Sequence, residues 1–336
     1  IYYTIGQRKG LGISYKVPLF VLGFNKTKNE VIVGEEKKLY KKEITVTDIN
    51  LLLVDKIEEP MEYLKNIDVV FPVLHGLYGE DGTIQGMLEL LNKKYVGCKV
   101  FASSVCMDKV YAKVIFDKAK INQAKYIYIR KAGERYIYID NEFNEEIHSL
   151  EEIADIVSEK IGFPVFIKPS NSGSSVGINK SHNIEELKEH IKYASQFDKK
   201  ILIEENICGR EVECAVLGNE EVKASCVGEI LPAEEFYTFD AKYINAESRV
   251  VIPADLPEGI SNEIRSTAIK AFKAVDGKGL SRVDFFVENG TNRIIINEIN
   301  TLPGFTQISM YPKLWEEVGI KYSDLLDELI KLAKED

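Results

Sequence analysis

Asp284, Glu298 and Asn300 carry side chains suited to a metal-assisted reaction. They belong to two runs rich in β-branched and aromatic residues, 282–287 and 294–300, separated by the turn cluster Asn289-Gly290-Thr291-Asn292. That is the pattern of a β-hairpin. Successive strand side chains point to opposite faces, so Glu298 and Asn300 share a face, as do Arg282 and Asp284. Pairing of the two runs brings Asp284 to the same surface. Two carboxylates and an amide oxygen suit a hard cation such as Mg²⁺ rather than zinc. A cation beside the Arg282 guanidinium offsets charge developing on a phosphoryl or acyl oxygen. An ordinary hairpin with solvated polar tips has the same residue types, so the rest of the chain must decide between them.

A second group has the chemistry of nucleotide binding. Val165-Phe166-Ile167-Lys168-Pro169-Ser170 reads as a strand that runs into Asn171-Ser172-Gly173-Ser174-Ser175-Val176-Gly177. Glycines let backbone N–H groups approach phosphate oxygens, and Ser174 and Ser175 add donors. No G-K-[ST] is present, so this is not the P-loop pattern, and a mobile surface hairpin is the competing reading. Lys109 and Lys168 sit in different segments and would reach different phosphates. Solvent exposure, the usual fate of a lysine, fits Lys168 poorly, because it follows an apolar strand and precedes a proline. Glu204 and Glu205 end the strand Ile201-Leu202-Ile203, where an acceptor meets an adenine amino group or ribose hydroxyls; a fraying strand end is the alternative. His75 follows the strand-like run 67–74, the place where α/β folds bind ligands, or it is a turn histidine. Lys242 and Tyr243 lie in the aperiodic stretch 234–248, the kind of loop that covers a site, or they are an exposed pair. Gly304 follows the candidate metal strand directly, and its N–H faces the same site unless the segment is a plain turn.

These groups need elements to hold them. Thr83 to about Asn92 is expected to be helical, with Ile84, Met87, Leu88 and Leu91 on one face. A further helix carries Met107-Asp108-Lys109 and continues towards Lys118. Ser149-Leu150-Glu151-Glu152 is a capping box opening a helix with Ile153, Ile156, Val157 and Ile161 at helical spacing. Helices are also expected over 183–197, 261–275 and 323–333, and strands over 126–129, 135–139, 201–205, 211–217 and 222–230. Residues 1–60 show short strand-like runs without helical period and read as a small β module. Its Arg8, Lys9 and the lysines at 37, 38, 41 and 42 are a candidate phosphate-contacting patch or a solvated face.

The totals bound the function classes. With 336 residues, 45% hydrophobic and 29% charged, the chain is long enough for two or three domains and reads as soluble and globular. A net charge of −10 argues against broad nucleic-acid binding by the whole chain. Cys98, Cys106, Cys208, Cys214 and Cys226 form no C-x-x-C pair, as expected of reduced thiols in a cytoplasmic protein. His75, His148, His182 and His190 lack metal-ligand spacing. No apolar run has the length of a membrane span. The chain opens at Ile1 rather than Met, so its start reads as a fragment edge.

Two resemblances then enter. Tyr3-Thr4-Ile5-Gly6-Gln7-Arg8-Lys9-Gly10-Leu11-Gly12 resembles the segment leading into the C-terminal barrel of tRNA-specific 2-thiouridylases, and the strands through Asp48-Ile49-Asn50 resemble the first part of that barrel. The resemblance covers residues 1–57. It lacks that family's nucleotide-binding loop and catalytic cysteines, so it implies a tRNA-contacting surface at most. From Asp68 to the end the chain resembles D-alanine–D-alanine ligases of the ATP-grasp superfamily. The carrying pieces are His75-Gly76…Gly79-Glu80-Asp81-Gly82, Met107-Asp108-Lys109, Lys168-Pro169-Ser170…Gly173-Ser174-Ser175-Val176-Gly177, Phe239-Asp240-Ala241-Lys242-Tyr243, Arg282-Val283-Asp284 and Asn297-Glu298-Ile299-Asn300-Thr301-Leu302-Pro303-Gly304.

This second resemblance implies an α/β (α+β) ATP-grasp fold and ATP-dependent synthesis of D-Ala-D-Ala for peptidoglycan. Lys109 and Lys168 are implied to hold ATP phosphates, with Glu204, Glu205, Ile207 and Glu211 lining the adenosine site. Ser174 and Ser175 belong to the loop closing over the phosphates, Lys242 contacts the γ-phosphate, and Tyr243 with Ser174 forms the lid network. Asp284, Glu298 and Asn300 are implied to bind two Mg²⁺, with Mn²⁺ as a substitute. His75, Arg282, Gly304 and Ser309 are implied to serve D-alanine. The Ala241-Lys242-Tyr243 pattern resembles dipeptide-forming members more than D-lactate users. The family normally opens with a strand, a Gly-rich turn and a helix carrying a glutamate that orients the first substrate; residues 1–60 show no such pattern. The expected organisation is a β-barrel-like fragment at 1–60, a truncated N-terminal α/β half-domain at 61–105, a central subdomain at 106–206 and a catalytic domain at 207–336. The expected partners are ATP and D-alanine, residual tRNA contact through 1–57 and a second copy in a homodimer, with no membrane. An ATP-binding remnant with little ligase activity, and a tRNA-contacting protein, are the other readings.

Overall fold

Alternation of apolar and polar positions builds the sheet that carries Lys168. In β8 (Val165–Pro169), Val165 and Ile167 are fully buried in an apolar core while Phe166 and Lys168 are half-buried on the other face. The sheet has six antiparallel strands in the order β7-β6-β5-β10-β8-β9, formed with β5 (Tyr126–Ala132), β6 (Arg135–Ile139), β7 (Glu145–His148), β9 (Asn179–Ser181) and β10 (Lys200–Glu205). Helices α4 (Leu150–Lys160) and α5 (Ile184–Ala194) cover its apolar face through Ile153, Val157, Leu187 and Ile191. Each such side chain contributes about 1.5–3 kcal/mol of burial. The predicted capping box forms in full: Glu152 N–H donates to Ser149 Oγ at 3.2 Å, and Ser149 N–H donates to Glu152 Oε2 at 2.6 Å.

The second large sheet is also antiparallel, in the order β13-β12-β11-β14-β15, with β11 (Gly209–Leu217), β12 (Lys223–Leu231), β13 (Arg249–Val251), β14 (Leu280–Glu288) and β15 (Ile294–Asn300). Both its faces are apolar, by period-two alternation along β11. Val212, Cys214 and Val216 pack towards α6 (Glu258–Ala274); Ala215 and Leu217 pack towards α7 (Met310–Glu317) and α8 (Tyr322–Glu335). The candidate metal hairpin is β14–β15, and its register sets Asp284 opposite Glu298 and Arg282 opposite Asn300.

The described residues are 19–25, 30–35, 64–173, 176–231, 249–306 and 309–335 of a computed structural model. The chain divides into two units, Ile1–Tyr63 and Leu64–Asp336. In the first, β1 (Leu19–Asn25) and β2 (Glu30–Glu35) pair antiparallel; the other strand-like runs and basic residues of 1–60 lie outside the described residues. In the second unit, β3 (Val69–Val70) and β4 (Lys94–Tyr95) form a two-stranded parallel sheet. Between them lies α1 (Thr83–Leu90).

Two expectations need correction. On α1 the expected apolar face is turned inward only in part: Leu88 is buried and Ile84 and Leu91 are half-buried, but Met87 is exposed and Gln85 is buried beside Leu88. Gln85 is drawn in because its Nε2 donates to Gly79 O at 2.9 Å. The helix expected through Met107-Asp108-Lys109 is two helices, α2 (Val100–Met107) and α3 (Lys109–Lys118). They break at Asp108, whose backbone is extended and whose carboxylate caps α3 by accepting from Tyr111 N–H. The break starts a fresh helix at Lys109.

Candidate active site

Lys109 is the first residue of α3, and its backbone N–H donates to Ser170 O at 3.0 Å. Asp108 makes the joint rigid. Its carboxylate accepts from Ser170 Oγ at 2.6 Å and from the Lys200 ammonium. Asn171, at the base of the Gly-rich loop, gives both N–H and Nδ2 to Asp198 Oδ2 at 2.9 Å. Both ends of this joint are thus fixed by carboxylates, and Lys109 Nζ reaches Ser172 O at 2.5 Å. Gly177 closes the loop at φ +76°, and a Cβ there would stand 2.7 Å from both Phe197 and Pro169 side chains. A larger residue fails there on both backbone and packing grounds.

Lys168 and Glu204 pair across the β8–β10 boundary. Glu204 also accepts from Lys113 Nζ at 2.9 Å, so its two oxygens are shared between two ammonium groups. Burial opposes the Glu204 anion, but Lys113 and Lys168 override it and bring its carboxyl down to about 2. Burial also opposes the Lys168 cation, and Glu204 outweighs it, leaving that amine above its ordinary value. Lys109 is pushed the other way, because burial of its ammonium exceeds the pull of Glu298 and Glu204.

A cavity of about 780 Å³ joins these lysines to the hairpin. Lys109, Lys168, Glu204, Glu205, Ile207 and Glu211 line it together with His75, Arg282, Glu298, Asn300, Gly304 and Ser309. Ser309 precedes α7; its Oγ accepts from Thr306 N–H at 2.9 Å. Asp284 is 3% exposed and does not line the cavity. It lies beneath Arg282, whose Nε and Nη2 donate to Asp284 Oδ1 and Oδ2 at 2.8 and 2.7 Å. Asn300 Nδ2 donates to the same Oδ2 at 2.9 Å. Arg282 Nε also stands 3.0 Å from Glu213 Oε2. Burial disfavours this guanidinium, and the carboxylates of Asp284 and Glu213 hold its charge well above the ordinary range.

The donor set fits a hard divalent cation in type: two carboxylates that are direct cross-strand partners, and an amide within hydrogen-bond reach of one of them. Among the described residues no three His, Cys, Asp or Glu side chains gather in a metal-binding group. Ser174, Ser175, Lys242 and Tyr243 lie outside the described residues.

The site includes residues that the sequence analysis gave no role. Lys113 is four residues after Lys109 on one helical face. Glu213 is two after Glu211 on one strand face, so both were reachable from period alone. Glu80, in the motif that begins at His75, also lines the cavity. Arg210 lines the cavity and forms a bidentate pair with Glu229 at 2.5 and 2.6 Å.

The family model described as "D-ala D-ala ligase C-terminus" matches residues 115–331 and the corresponding N-terminus model matches 19–98. A model of the tRNA methyl transferase PRC-barrel domain matches 1–35. The N-terminus match therefore reaches into the stretch where the sequence alone offered no ligase-like motif. A D-alanine–D-alanine ligase of Acetivibrio thermocellus is 58% identical over 272 residues, 81% of this chain and 69% of that protein. One from Clostridium acetobutylicum is 52% identical over 269 residues, covering 80% and 75%. Among solved structures, the D-alanine–D-alanine ligase of Coxiella burnetii superposes with a TM-score of 0.68 at 37% identity, covering 80% of this chain and 68% of that one. The VanG D-Ala:D-Ser ligase of Enterococcus faecalis superposes with a TM-score of 0.69 at 36% identity, covering 80% and 73%. The six- and five-stranded antiparallel sheets are those of an ATP-grasp protein, and the chain belongs to the D-alanine–D-alanine ligase family.

Proposed function

We propose that the chain joins two D-alanines with ATP, releasing ADP and phosphate, as a step in making a peptidoglycan precursor. One observation carries this reading: a single cavity runs from Lys109, Lys168 and Glu204 to Arg282, Glu298, Gly304 and Ser309. A nucleotide and two small zwitterions need such continuity, because the γ-phosphoryl group must meet a substrate carboxylate.

A carboxylate is a poor electrophile, so it is activated first. An oxygen of the first D-alanine's carboxylate bonds to the γ-phosphorus, the bond to the β,γ-bridging oxygen breaks, and ADP departs. The amine of the second D-alanine then attacks the acyl carbon; phosphate leaves and the amine loses a proton. Lys109 and Lys168 orient the phosphates and offset their charge. Glu204, Glu205, Ile207 and Glu211 serve the adenosine end. Arg282 and the Gly304 N–H stabilise the oxyanion of the tetrahedral intermediate. His75 and Ser309 position the amino acids. Ser174, Ser175, Lys242 and Tyr243 belong to the covering loops that exclude water. Asp284, Glu298 and Asn300 are the residues to hold Mg²⁺, two ions with Mn²⁺ as a substitute, which when bound neutralises phosphate charge.

The test is D-alanine-dependent ADP release, with the dipeptide identified by mass spectrometry and D-serine supplied in competition. ATP binding with no amino-acid-dependent product overturns the ligase reading and favours an ATP-binding remnant. The exposed Leu77, Tyr78, Leu90 and Phe101 around α1 are the observation on that side. Contact with tRNA through residues 1–57 is supported by the PRC-barrel match; a salt-dependent tRNA shift that survives deletion of 1–57 refutes it. A homodimer and a cytoplasmic location complete the proposal. Among the described residues no helix is long and apolar enough to cross a membrane.

A further inference from the structure

Asp108, beside Lys109 in the chain, belongs to an ion pair that the reaction scheme leaves unused. Lys200, the first residue of β10, gives its ammonium to Asp108 Oδ2. Asp108 Oδ1 accepts from Ser170 Oγ at 2.6 Å and from Tyr111 N–H at 3.3 Å. Neither Asp108 nor Lys200 lines the cavity. Their side chains are 12% and 21% exposed, so each charge is compensated chiefly by the other rather than by water.

Lys200 is held ready for this contact. Its backbone N–H donates to Asp198 Oδ1 at 3.0 Å, and its carbonyl accepts from Ser170 N–H at 2.9 Å. Its Nζ stands 4.3 Å from the centroid of the Tyr111 ring, a face that attracts a cation. A side chain fixed at both ends loses little freedom by pairing.

The consequence falls on Lys109. Its buried ammonium feels the Asp108 charge as an attraction. A carboxylate this far from water needs a cation, and without Lys200 the ammonium of the next residue is the one at hand. Lys109 would then be held inside the protein instead of facing phosphate. Glu204 follows the same plan at the other phosphate lysine, since Lys113 shares its carboxylate with Lys168. We propose that Lys200 is a positioning residue: its ammonium satisfies Asp108 and so leaves the Lys109 ammonium to the ATP phosphates. This inference rests on the nucleotide half of the ligase reading.

The experiment measures ATP binding by equilibrium dialysis, and the KM for D-alanine, in the wild type, in Lys200→Met and in the double variant Lys200→Met with Asp108→Asn. Lys200→Met should weaken ATP binding about tenfold, as for one charged hydrogen bond redirected, with the KM for D-alanine unchanged. The double variant removes the competing charge and keeps an oxygen for Ser170 and Tyr111. Its ATP binding should return to within about threefold of wild type, a recovery that a packing role for Lys200 does not give. Wild-type ATP binding in Lys200→Met, or a double variant that binds no better than the single one, overturns the proposal. A wild type that fails to bind ATP overturns the nucleotide reading instead, so the two failures are distinct. Should Lys200→Met not fold, Lys200→Gln decides, because it keeps a donor for Asp108 without the charge: weakened ATP binding supports the proposal, and wild-type binding refutes it.

Discussion

Lys113 and Glu204 form a buried ion pair 2.9 Å long, with 4% and 6% of their side chains exposed. The pair lies under the candidate nucleotide site and shares its carboxylate with Lys168. Lys113→Met leaves Glu204 with one ammonium partner rather than none. The expected cost is about 2 kcal/mol, nearer to a charged hydrogen bond than to a fully orphaned buried charge. Urea unfolding measures it. The KM for ATP should rise in parallel, because Glu204 then pulls Lys168 away from phosphate.

The same carboxyl sets an acid limit. Its folded value of about 2 lies below the ordinary 4.5, so the stabilisation is fully present above pH 4.5 and is lost as pH falls from there towards 2. The full linkage term is about 3 kcal/mol. In Glu204→Gln the stability lost between pH 5 and 3 should shrink relative to wild type. Equal losses in the two proteins would refute the assignment.

Glu298→Gln should separate binding from turnover. The lysines still hold the nucleotide, so ATP binding by equilibrium dialysis persists, while kcat falls by about a hundredfold or more for want of an anionic metal donor. Chelation of divalent cations should abolish turnover in the wild type, and restoring Mg²⁺ should recover it. A Glu298→Gln variant with wild-type kcat removes this residue from the metal site.

Gly304→Ala tests the oxyanion site sterically. A Cβ at 304 would stand 2.7 Å from Ser309 Oγ, the hydroxyl that accepts from Thr306 N–H. The methyl displaces Ser309 and shifts the 304 N–H, so kcat should fall at least about tenfold while ATP binding is preserved. Steady-state kinetics with both substrates varied reads the split.

Much of the protein was written in local pattern. The period-two runs at 282–287 and 294–300 and the Asn-Gly turn between them are properties of the chain itself, since strand side chains must alternate. They brought Asp284, Glu298 and Asn300 to one hairpin before any fold was known. The capping box at Ser149 and Glu152 was equally legible, because both hydrogen bonds span three residues. The motifs that carry the family resemblance fixed the class of chemistry.

Tertiary structure decided the rest. Asp284 sits under Arg282 rather than in the cavity, because the guanidinium fork and the Asn300 amide together occupy its oxygens. The helix break at Asp108 depends on Ser170 and Lys200, which are remote in sequence. Gln85 is buried where Met87 was expected because Gly79 O needs a donor. The charge states of Lys109, Lys168 and Glu204 follow from burial and from partners on other elements. Strand and helix period belongs to the sequence; desolvation and long-range pairing exist only once the elements have packed.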